Sequence, residues 1–259
     1  MNGIDTVLWN DHGSWGEMVL NRPEKGNALT ADMLGRLDAI ARSAAQRQDL
    51  RVVVLRGAGD RFFCTGGDIA EWGAMTPSEM ARDWILPGID VFGRIARLPQ
   101  VVVAAVNGHA LGGGLELALA ADLRVAIARA KLGTPEVGLG IIPGWLGTRR
   151  LAEIAGVSRA RHLTLLGTPI TAAQALEWGL VTAVAETPED FEAQVAAWRE
   201  RLCANAPVAM GLVKGILETM HADLRQHHAS AVAQAAATED CREGVQAFLE
   251  KRTPVFRNR

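Results

Sequence analysis

Two apolar runs rich in β-branched residues constrain the fold of this chain more than any other feature. Residues 51–56 (RVVVLR) and 101–106 (VVVAAV) have polar side chains only at their ends or not at all. A strand that is apolar on both faces must be covered on both faces, as in parallel sheets with helical crossovers. Residues 123–127 form a third strand-like run, and helix-like segments separate the three runs. The sequence therefore predicts an α/β fold with a parallel sheet.

Further elements are predicted on either side of these runs. Residues 6–9 and 17–20 have the pattern of two strands around a turn. Thr30 supplies an N-cap side chain for a helix that follows it with apolar residues at helical spacing. Helices are also expected between residues 78 and 97, with a break at Pro87-Gly88, because these two residue types interrupt helices.

The pattern changes after residue 190, where helical periodicity dominates. Thr238 is the predicted N-cap of the last helix. Because no repeat or flexible linker separates the two parts, we expect an α/β core over residues 1–190 that packs against a helical region over residues 191–259. The predicted C-terminal helices cover residues 191–204, 207–220, 224–237 and 239–250.

Composition and charge exclude several classes of protein. A chain of 259 residues, 49% hydrophobic and 22% charged, suits one large globular domain with or without a helical extension. A formal net charge of −2 provides no positive field, so no nucleic-acid partner is expected. The sequence shows neither a signal peptide nor an apolar run long enough to span a bilayer, so no membrane association is expected. Cys64, Cys203 and Cys241 are isolated, which is typical of a reducing compartment, so a cytoplasmic location is expected.

Two glycine-rich loops follow the apolar runs. Residues 62–69 (FFCTGGDI) come soon after the first run, and residues 107–116 (NGHALGGGLE) directly follow the second. Because sites form at the carboxyl ends of parallel strands, both loops should open on one side of the sheet. One backbone N–H from each loop would form an oxyanion hole, in which each donor lowers a barrier by roughly 3–4 kcal/mol. Glycines that serve only turns or close packing are the alternative.

Two glutamates stand among small and apolar residues near these loops. Glu116 falls in the first turn of a predicted apolar helix, and Glu136 follows Pro135. A buried carboxylate is costly unless it is paired or used, and two that converge can position a water and exchange protons with it. Alternatively, Glu116 complements the helix dipole and Glu136 is an exposed turn residue. The spacing alone does not show that the two converge.

The order of these motifs resembles the crotonase superfamily, and within it enoyl-CoA hydratases, along nearly the whole chain. Each motif alone is weak, but their order and separations together are specific. The motifs are residues 21–23 (NRP), 27–29 (NAL), 66–69 (GGDI), 104–108 (AAVNG), 111–116 (LGGGLE), 135–140 (PEVGLG), 243–244 (EG) and 247–252 (AFLEKR).

The resemblance implies a crotonase-like spiral of ββα units followed by a helical C-terminal trimerisation region. It implies that the N–H groups of Gly67 and Gly113 form the oxyanion hole, while Glu116 and Glu136 activate water and deliver a proton at the α-carbon. The activity implied is the addition of water to an enoyl-CoA thioester, or the reverse dehydration. A homotrimer or a dimer of trimers is implied as well.

Coenzyme A enters only as part of the acyl-CoA substrate, and the resemblance implies no prosthetic group or metal. Arg22 and Lys25 would meet its phosphates, although both could equally be solvated surface charges. Phe256 and Arg257 would reach the nucleotide end of a neighbouring subunit's CoA. The residues implied to contact CoA are Arg22, Lys25, Asn27, Ala28, Thr65, Gly66, Asp68 and Ile69.

The sequence departs from the family pattern at several positions. Ala70 stands where many hydratases have a lysine that meets a CoA phosphate. Trp145 and Leu146 replace small residues, which predicts a reshaped acyl pocket. Trp72 and Trp84 fall in the variable region that normally lines that pocket, although simple core packing is an alternative for both.

Other functions stay open at this level. A double-bond isomerase, or a lyase or dehydratase of a specialised hydroxyacyl-CoA, would use the same oxyanion hole. Two glutamates favour addition or removal of water, and the absence of tyrosine argues against a hydroxycinnamoyl-CoA lyase. A non-catalytic acyl-CoA-binding or RNA-binding protein is an alternative of another class, although the chain has no stripe dense in lysine and arginine.

Overall fold

Two sheets form the frame of the chain in a computed structural model that describes residues 5–218 and 238–259. The larger sheet has the strand order β1-β2-β3-β5-β7-β10 and the smaller one β4-β6-β8-β9. Within them β1–β2 and β8–β9 pair antiparallel, and the other pairs are parallel. The strands are β1 (Val7–Asp11), β2 (Trp15–Leu20), β3 (Val52–Gly57), β4 (Phe62–Cys64), β5 (Val101–Val106), β6 (His109–Leu111), β7 (Leu123–Ile127), β8 (Lys131–Gly133), β9 (Ile170–Thr171) and β10 (Ala183–Ala185).

Successive strand pairs place one strand in each sheet. The first strands, β3, β5 and β7, are neighbours in the larger sheet, and the second strands, β4, β6 and β8, are neighbours in the smaller one. A helical segment then leads to the next pair, which gives the spiral of ββα units that the resemblance implied. The apolar runs are confirmed as buried parallel strands, and every residue of β5 is buried.

The helices cover both sheets. The N-cap at Thr30 is confirmed, since its side-chain oxygen accepts a 3.2 Å hydrogen bond from Met33 N. The helices are α1 (Ala31–Ala45), α2 (Ile69–Trp72), α3 (Pro77–Glu79), α4 (Leu86–Ala96), α5 (Gly113–Leu119), α6 (Gly147–Ala155), α7 (Val157–Leu166), α8 (Ala172–Glu177), α9 (Pro188–Cys203), α10 (Pro207–Glu218) and α11 (Glu239–Glu250), with a π-helix at Met80–Ile85 and 3₁₀ turns at Pro23–Lys25 and Pro135–Leu139.

The predicted break at Pro87-Gly88 is wrong. The π-helix Met80–Ile85 continues directly into α4, and Pro87 lies where the wider π turn passes into the α-helix. Gly88 serves packing instead, because a Cβ at this position would overlap the indole nitrogen of Trp145.

The turn predicted between the first two strands is also too long. The antiparallel ladder continues to the pair Asp11 and Gly16, so β1 and β2 are longer than expected. The indole of Trp9 lies where a Cβ of Gly16 would be, and glycine at this position lets the ring cover β2. Gly16 therefore belongs to a strand, although its residue type suggests a turn.

The C-terminal helices agree with the expected pattern where the structure describes them. Thr238 Oγ1 accepts a 3.0 Å hydrogen bond from Cys241 N, which confirms the N-cap of α11. The predicted helix 224–237, and the end of helix 207–220, lie outside the described residues. The domain boundary expected after residue 190 falls in the first turn of α9. Among the helices within residues 5–218 and 238–259, none is long and apolar enough to cross a membrane.

Candidate active site

The two glycine loops lie side by side at one edge of the smaller sheet. Strands β4 and β6 pair in parallel, with Cys64 opposite Ala110, so the loops that follow them leave in the same direction. Gly66 has φ +100°, and a Cβ at this position would be 3.1 Å from the backbone nitrogen of Gly113. Only glycine allows both this conformation and this approach.

Gly67 and Gly113 each present a backbone N–H that has no partner among the described residues. Gly113 is the first residue of α5, where no turn precedes it to accept a hydrogen bond. Gly67 lies beside Leu29, but the bonds of that bridge are made by Leu29 N and Asp68 N. In the described part of the chain, no carbonyl accepts from Gly67 N or Gly113 N. Both residues line one cleft of about 450 Å³.

Glu116 projects from the first turn of α5 into the same cleft and is 1% exposed. Its Oε1 accepts two backbone hydrogen bonds, from Trp145 N at 2.9 Å and from Gly147 N at 2.7 Å. Burial raises the pKa of this carboxyl, while the backbone donors stabilise its charged form and oppose that rise. Glu116 is therefore a fixed carboxylate with one oxygen bound to the protein.

Glu136 reaches the cleft from the 3₁₀ turn Pro135–Leu139 and is 7% exposed. Its Oε2 has no hydrogen-bond partner among the described residues. Burial, with the charge of Glu116 as a smaller contribution, raises the pKa of Glu136 to about 7. At neutral pH this carboxyl can therefore hold a proton and give it up.

The structure thus brings all four predicted catalytic residues to one cleft. The spacing in the sequence did not show whether they converge. Two backbone donors there can bind an oxygen that becomes negatively charged. Two carboxyls with different hydrogen-bond partners face the same space, so one can accept a proton while the other donates one.

The backbone segment that holds Glu116 was missed by the sequence analysis. The sequence indicates only that Trp145 and Leu146 are bulky, yet the N–H groups of Trp145 and Gly147 both bind this carboxylate. Leu146 between them has φ +64°, a conformation that is uncommon for a non-glycine residue. Arg150 supports the turn, because its Nη1 donates a 3.1 Å hydrogen bond to Trp145 O. The glycine at position 147 was the one available signal, since a Cβ at this position would overlap the side chain of Glu116.

A group of aromatic side chains forms one wall of the cleft. Trp84 and Trp145 are each 3% exposed, and their ring centroids are 5.2 Å apart. Phe92 packs against Trp145 with ring centroids 5.0 Å apart. Trp72 is half-buried, and its indole N–H donates to Gly67 O at 3.3 Å. Pocket lining and core packing were the two alternatives for Trp84, and the structure shows both, since this residue packs in the core and also lines the cleft.

The residues implied to contact CoA lie on two adjacent segments, but several of their side chains are engaged within the protein. Arg22 donates to Ala28 O at 2.7 Å and to Asp68 at 3.0 Å. The buried side chain of Asn27 donates to two backbone carbonyls and accepts from Arg22 N. These contacts hold residues 22–28 against residues 65–69, where Thr65 N also donates to Gly26 O.

The other residues implied to contact CoA differ in how accessible they are. Lys25 and Ile69 are exposed, Ala28 is half-buried, and Gly66 is buried between the loops. Arg257 near the C-terminus is exposed, and Phe256 packs near Gly244. The structure thus leaves backbone groups and Lys25, more than Arg22 or Asn27, available to a ligand.

Known proteins are similar to this chain in both sequence and fold. The chain is 37% identical to the short-chain-enoyl-CoA hydratase of Clostridium acetobutylicum, with 99% of each chain covered. It is also 37% identical to the crotonyl-CoA hydratase of Syntrophomonas wolfei, over 92% of this chain and 93% of that protein. A crystal structure of an enoyl-CoA hydratase from Bacillus anthracis matches with a TM-score of 0.94 and 35% identity, covering 98% of this chain and all of that one.

The ββα spiral and the paired glycine loops define a protein of the crotonase superfamily. Within that superfamily the chain belongs to the enoyl-CoA hydratase/isomerase family, whose sequence model matches residues 11–259.

Proposed function

We propose that this protein is an enoyl-CoA hydratase, which adds water across the α,β double bond of an enoyl-CoA thioester. The observation that supports this most directly is the convergence of Glu116 and Glu136 on the cleft that holds Gly67 and Gly113. An isomerase needs one group to move a proton between two carbons, whereas adding water calls for activation of the water and delivery of a proton to carbon.

In this mechanism the thioester carbonyl oxygen accepts hydrogen bonds from Gly67 N and Gly113 N. Glu116, whose ionised form is stabilised by two backbone donors, removes a proton from water as the oxygen attacks the β-carbon. The electron pair of the double bond moves toward the thioester, and Glu136 gives its proton to the α-carbon. The two N–H groups stabilise the enolate more than the ground-state carbonyl, so they lower the barrier. Proton exchange with solvent restores both carboxyls.

The same proposal includes the substrate's carrier and the assembly. CoA would lie along residues 22–28 and 65–69, with Arg22, Lys25, Asn27, Ala28, Thr65, Gly66, Asp68 and Ile69 as its contacts. The protein would act in the cytoplasm as a homotrimer or a dimer of trimers, with residues 191–259 in the oligomer contacts. Exposed apolar side chains on α10, at Val213 and Leu217, support burial of this helix in an assembly. Free thiols at Cys64, Cys203 and Cys241 support a reducing compartment.

The test follows the ultraviolet absorbance of the conjugated thioester after purified protein is mixed with crotonyl-CoA. We expect rapid loss of absorbance and formation of 3-hydroxybutyryl-CoA, identified by mass spectrometry. If acyl-CoA binds but no enoyl-CoA gains water under these conditions, the proposal is wrong. Conversion of a 3-enoyl-CoA to its 2-enoyl isomer in the absence of hydration would instead support an isomerase.

A further inference from the structure

The indole of Trp145 packs against the Cα of Gly113, one of the two glycines proposed to supply the oxyanion donors. A Cβ on Gly113 would overlap Cζ3 of this ring and lie 2.7 Å from Cε3, so the ring is in direct contact with the glycine. The backbone N–H of the same residue binds Glu116. An acyl chain whose carbonyl oxygen lies at Gly113 N and whose β-carbon lies near Glu116 must therefore run past this ring.

Trp145 has little freedom to move away. Its indole N–H donates a 3.3 Å hydrogen bond to Trp84 O, and its ring packs against those of Trp84 and Phe92. The glycine at position 88 lets α4 approach the indole so closely that any side chain there would overlap it. A ring fixed from several directions in a close-packed core forms a rigid wall.

Gly67, which carries the other proposed donor, also lies against tryptophan rings. A Cβ on Gly67 would lie 2.8 Å from Cζ2 of Trp84 and 3.1 Å from Cδ1 of Trp72. Met80, Ile85 and Ile141 also line the cleft, and Ile142, which is 76% exposed, lies where the cleft meets solvent. Carbons beyond these tryptophans would therefore either meet the aromatic wall or extend over the rim into water, where little apolar surface is buried.

We infer that Trp145, supported by Trp84 and Phe92, determines acyl-chain specificity and restricts the enzyme to short enoyl groups of about four carbons. This inference rests on the proposed hydratase function and specifies its substrate class. The selectivity follows from the depth of the pocket, since the oxyanion donors and the glutamates are the same for every chain length.

The experiment compares kcat/KM for trans-2-enoyl-CoA substrates of four, six, eight and ten carbons. For the unmodified protein we expect kcat/KM to fall at least roughly tenfold from four to ten carbons. Trp145→Ala should raise the ten-carbon to four-carbon ratio by roughly tenfold or more, with a smaller rise for Trp145→Phe, which keeps a ring and guards against loss of folding in the alanine variant. A substitution at Trp145 could also disturb the backbone contacts to Glu116. Such a disturbance lowers kcat/KM for every chain length, so it cancels in the ratio measured on one variant.

Trp178→Ala is the matched control, since Trp178 is a half-buried tryptophan that packs against His162 and is absent from the cleft lining. It should leave the chain-length ratio unchanged. Binding of butyryl-CoA and decanoyl-CoA, measured by calorimetry, gives a second readout that needs no turnover. If no enoyl-CoA is hydrated, the proposed function fails, and the binding ratio still tests the pocket. Equal kcat/KM for four and ten carbons, or a ratio that neither Trp145 variant changes, overturns the inference.

Discussion

Glu116 and Glu136 differ in their hydrogen-bond partners, and this difference separates their roles. Backbone N–H groups on Oε1 of Glu116 favour its charged form, whereas Oε2 of Glu136 has no partner within the described structure. Burial and the nearby charge of Glu116 raise the pKa of Glu136 to about 7. One carboxyl is thus suited to accept a proton and the other to donate one.

Replacing either glutamate should stop proton transfer and leave thioester binding in place. We expect Glu116→Gln and Glu136→Gln each to lower kcat for crotonyl-CoA by roughly a hundredfold or more, because an amide acts as neither an acid nor a base near neutral pH. Steady-state kinetics measures the loss, and calorimetry with butyryl-CoA measures binding. Glu177→Gln, at an exposed position on α8, is the control. Near-normal turnover in one variant would remove that residue from the mechanism.

The raised pKa of Glu136 also predicts how stability depends on pH. Its ordinary value is 4.5 and its value in the fold is about 7, so between these pH values the native state binds more protons than the unfolded state. The contribution of this residue is fully present below pH 4.5 and is lost as pH rises toward 7, by up to about 3 kcal/mol.

Urea unfolding of the natural protein and of Glu136→Gln, at pH 5 and at pH 8, tests this dependence. The glutamine cannot ionise, so the stability of the variant relative to the natural protein should increase from pH 5 to pH 8. A difference between the two proteins that stays constant across this range would contradict a raised pKa at this position.

At the scale of elements, the contact between β4 and α5 positions the proposed oxyanion hole. A Cβ on Gly114 would overlap the carbonyl oxygen of Cys64, so the start of α5 touches the backbone of β4. This contact places the first N–H of α5 beside the loop that follows β4. Gly114, the third glycine of the triplet, therefore serves packing, while Gly113, the second, is the proposed oxyanion donor.

Two alanine substitutions at helical glycines should have opposite effects. Gly114→Ala should lower the free energy of unfolding by about 1–3 kcal/mol or more, because backbone must move to admit the methyl group. Gly35→Ala in α1, where a Cβ would meet nothing within 4 Å, should raise it by about 0.5–1 kcal/mol. Chemical denaturation measures both. If both substitutions change the free energy of unfolding equally, the close approach of Gly114 to the backbone of β4 is not needed for stability.

At the scale of the whole molecule, the ion pair between Lys214 and Asp122 joins helix α10 to the core. Lys214 on α10 lies 2.6 Å from Asp122, which also accepts a hydrogen bond from Val102 N at the start of β5. Lys214 donates as well to Gln100 O at 2.7 Å. Burial raises the pKa of Asp122, and Lys214 opposes that rise. The pair thus fixes α10 against strands that the sequence places far away.

Removing one member of this pair should cost more than removing both. We expect Lys214→Met to lower the free energy of unfolding by about 3 kcal/mol, because it leaves a largely buried carboxylate without its partner. The double variant Asp122→Asn/Lys214→Met should recover part of that loss. Urea denaturation of the natural protein, Asp122→Asn, Lys214→Met and the double variant gives a double-mutant cycle. Additive losses would show that the two side chains do not interact.

The sequence by itself determined the parts of this protein that depend on local pattern. Strands β3, β5 and β7 were predicted because runs apolar on both faces must be covered, and the Thr30 and Thr238 caps because hydroxyls accept the first helical N–H groups. The two glycine loops and both glutamates were visible as unusual residues in apolar surroundings.

The tertiary structure alone decided which of these residues meet. Glu116 is held by backbone 29 and 31 residues away, and Gly16 and Gly88 serve tryptophans from other elements. Such contacts are invisible to a local pattern because they depend on how the chain is folded between the two positions. For the same reason, only the fold showed that both glutamates face one cleft and that Trp145 packs against Gly113.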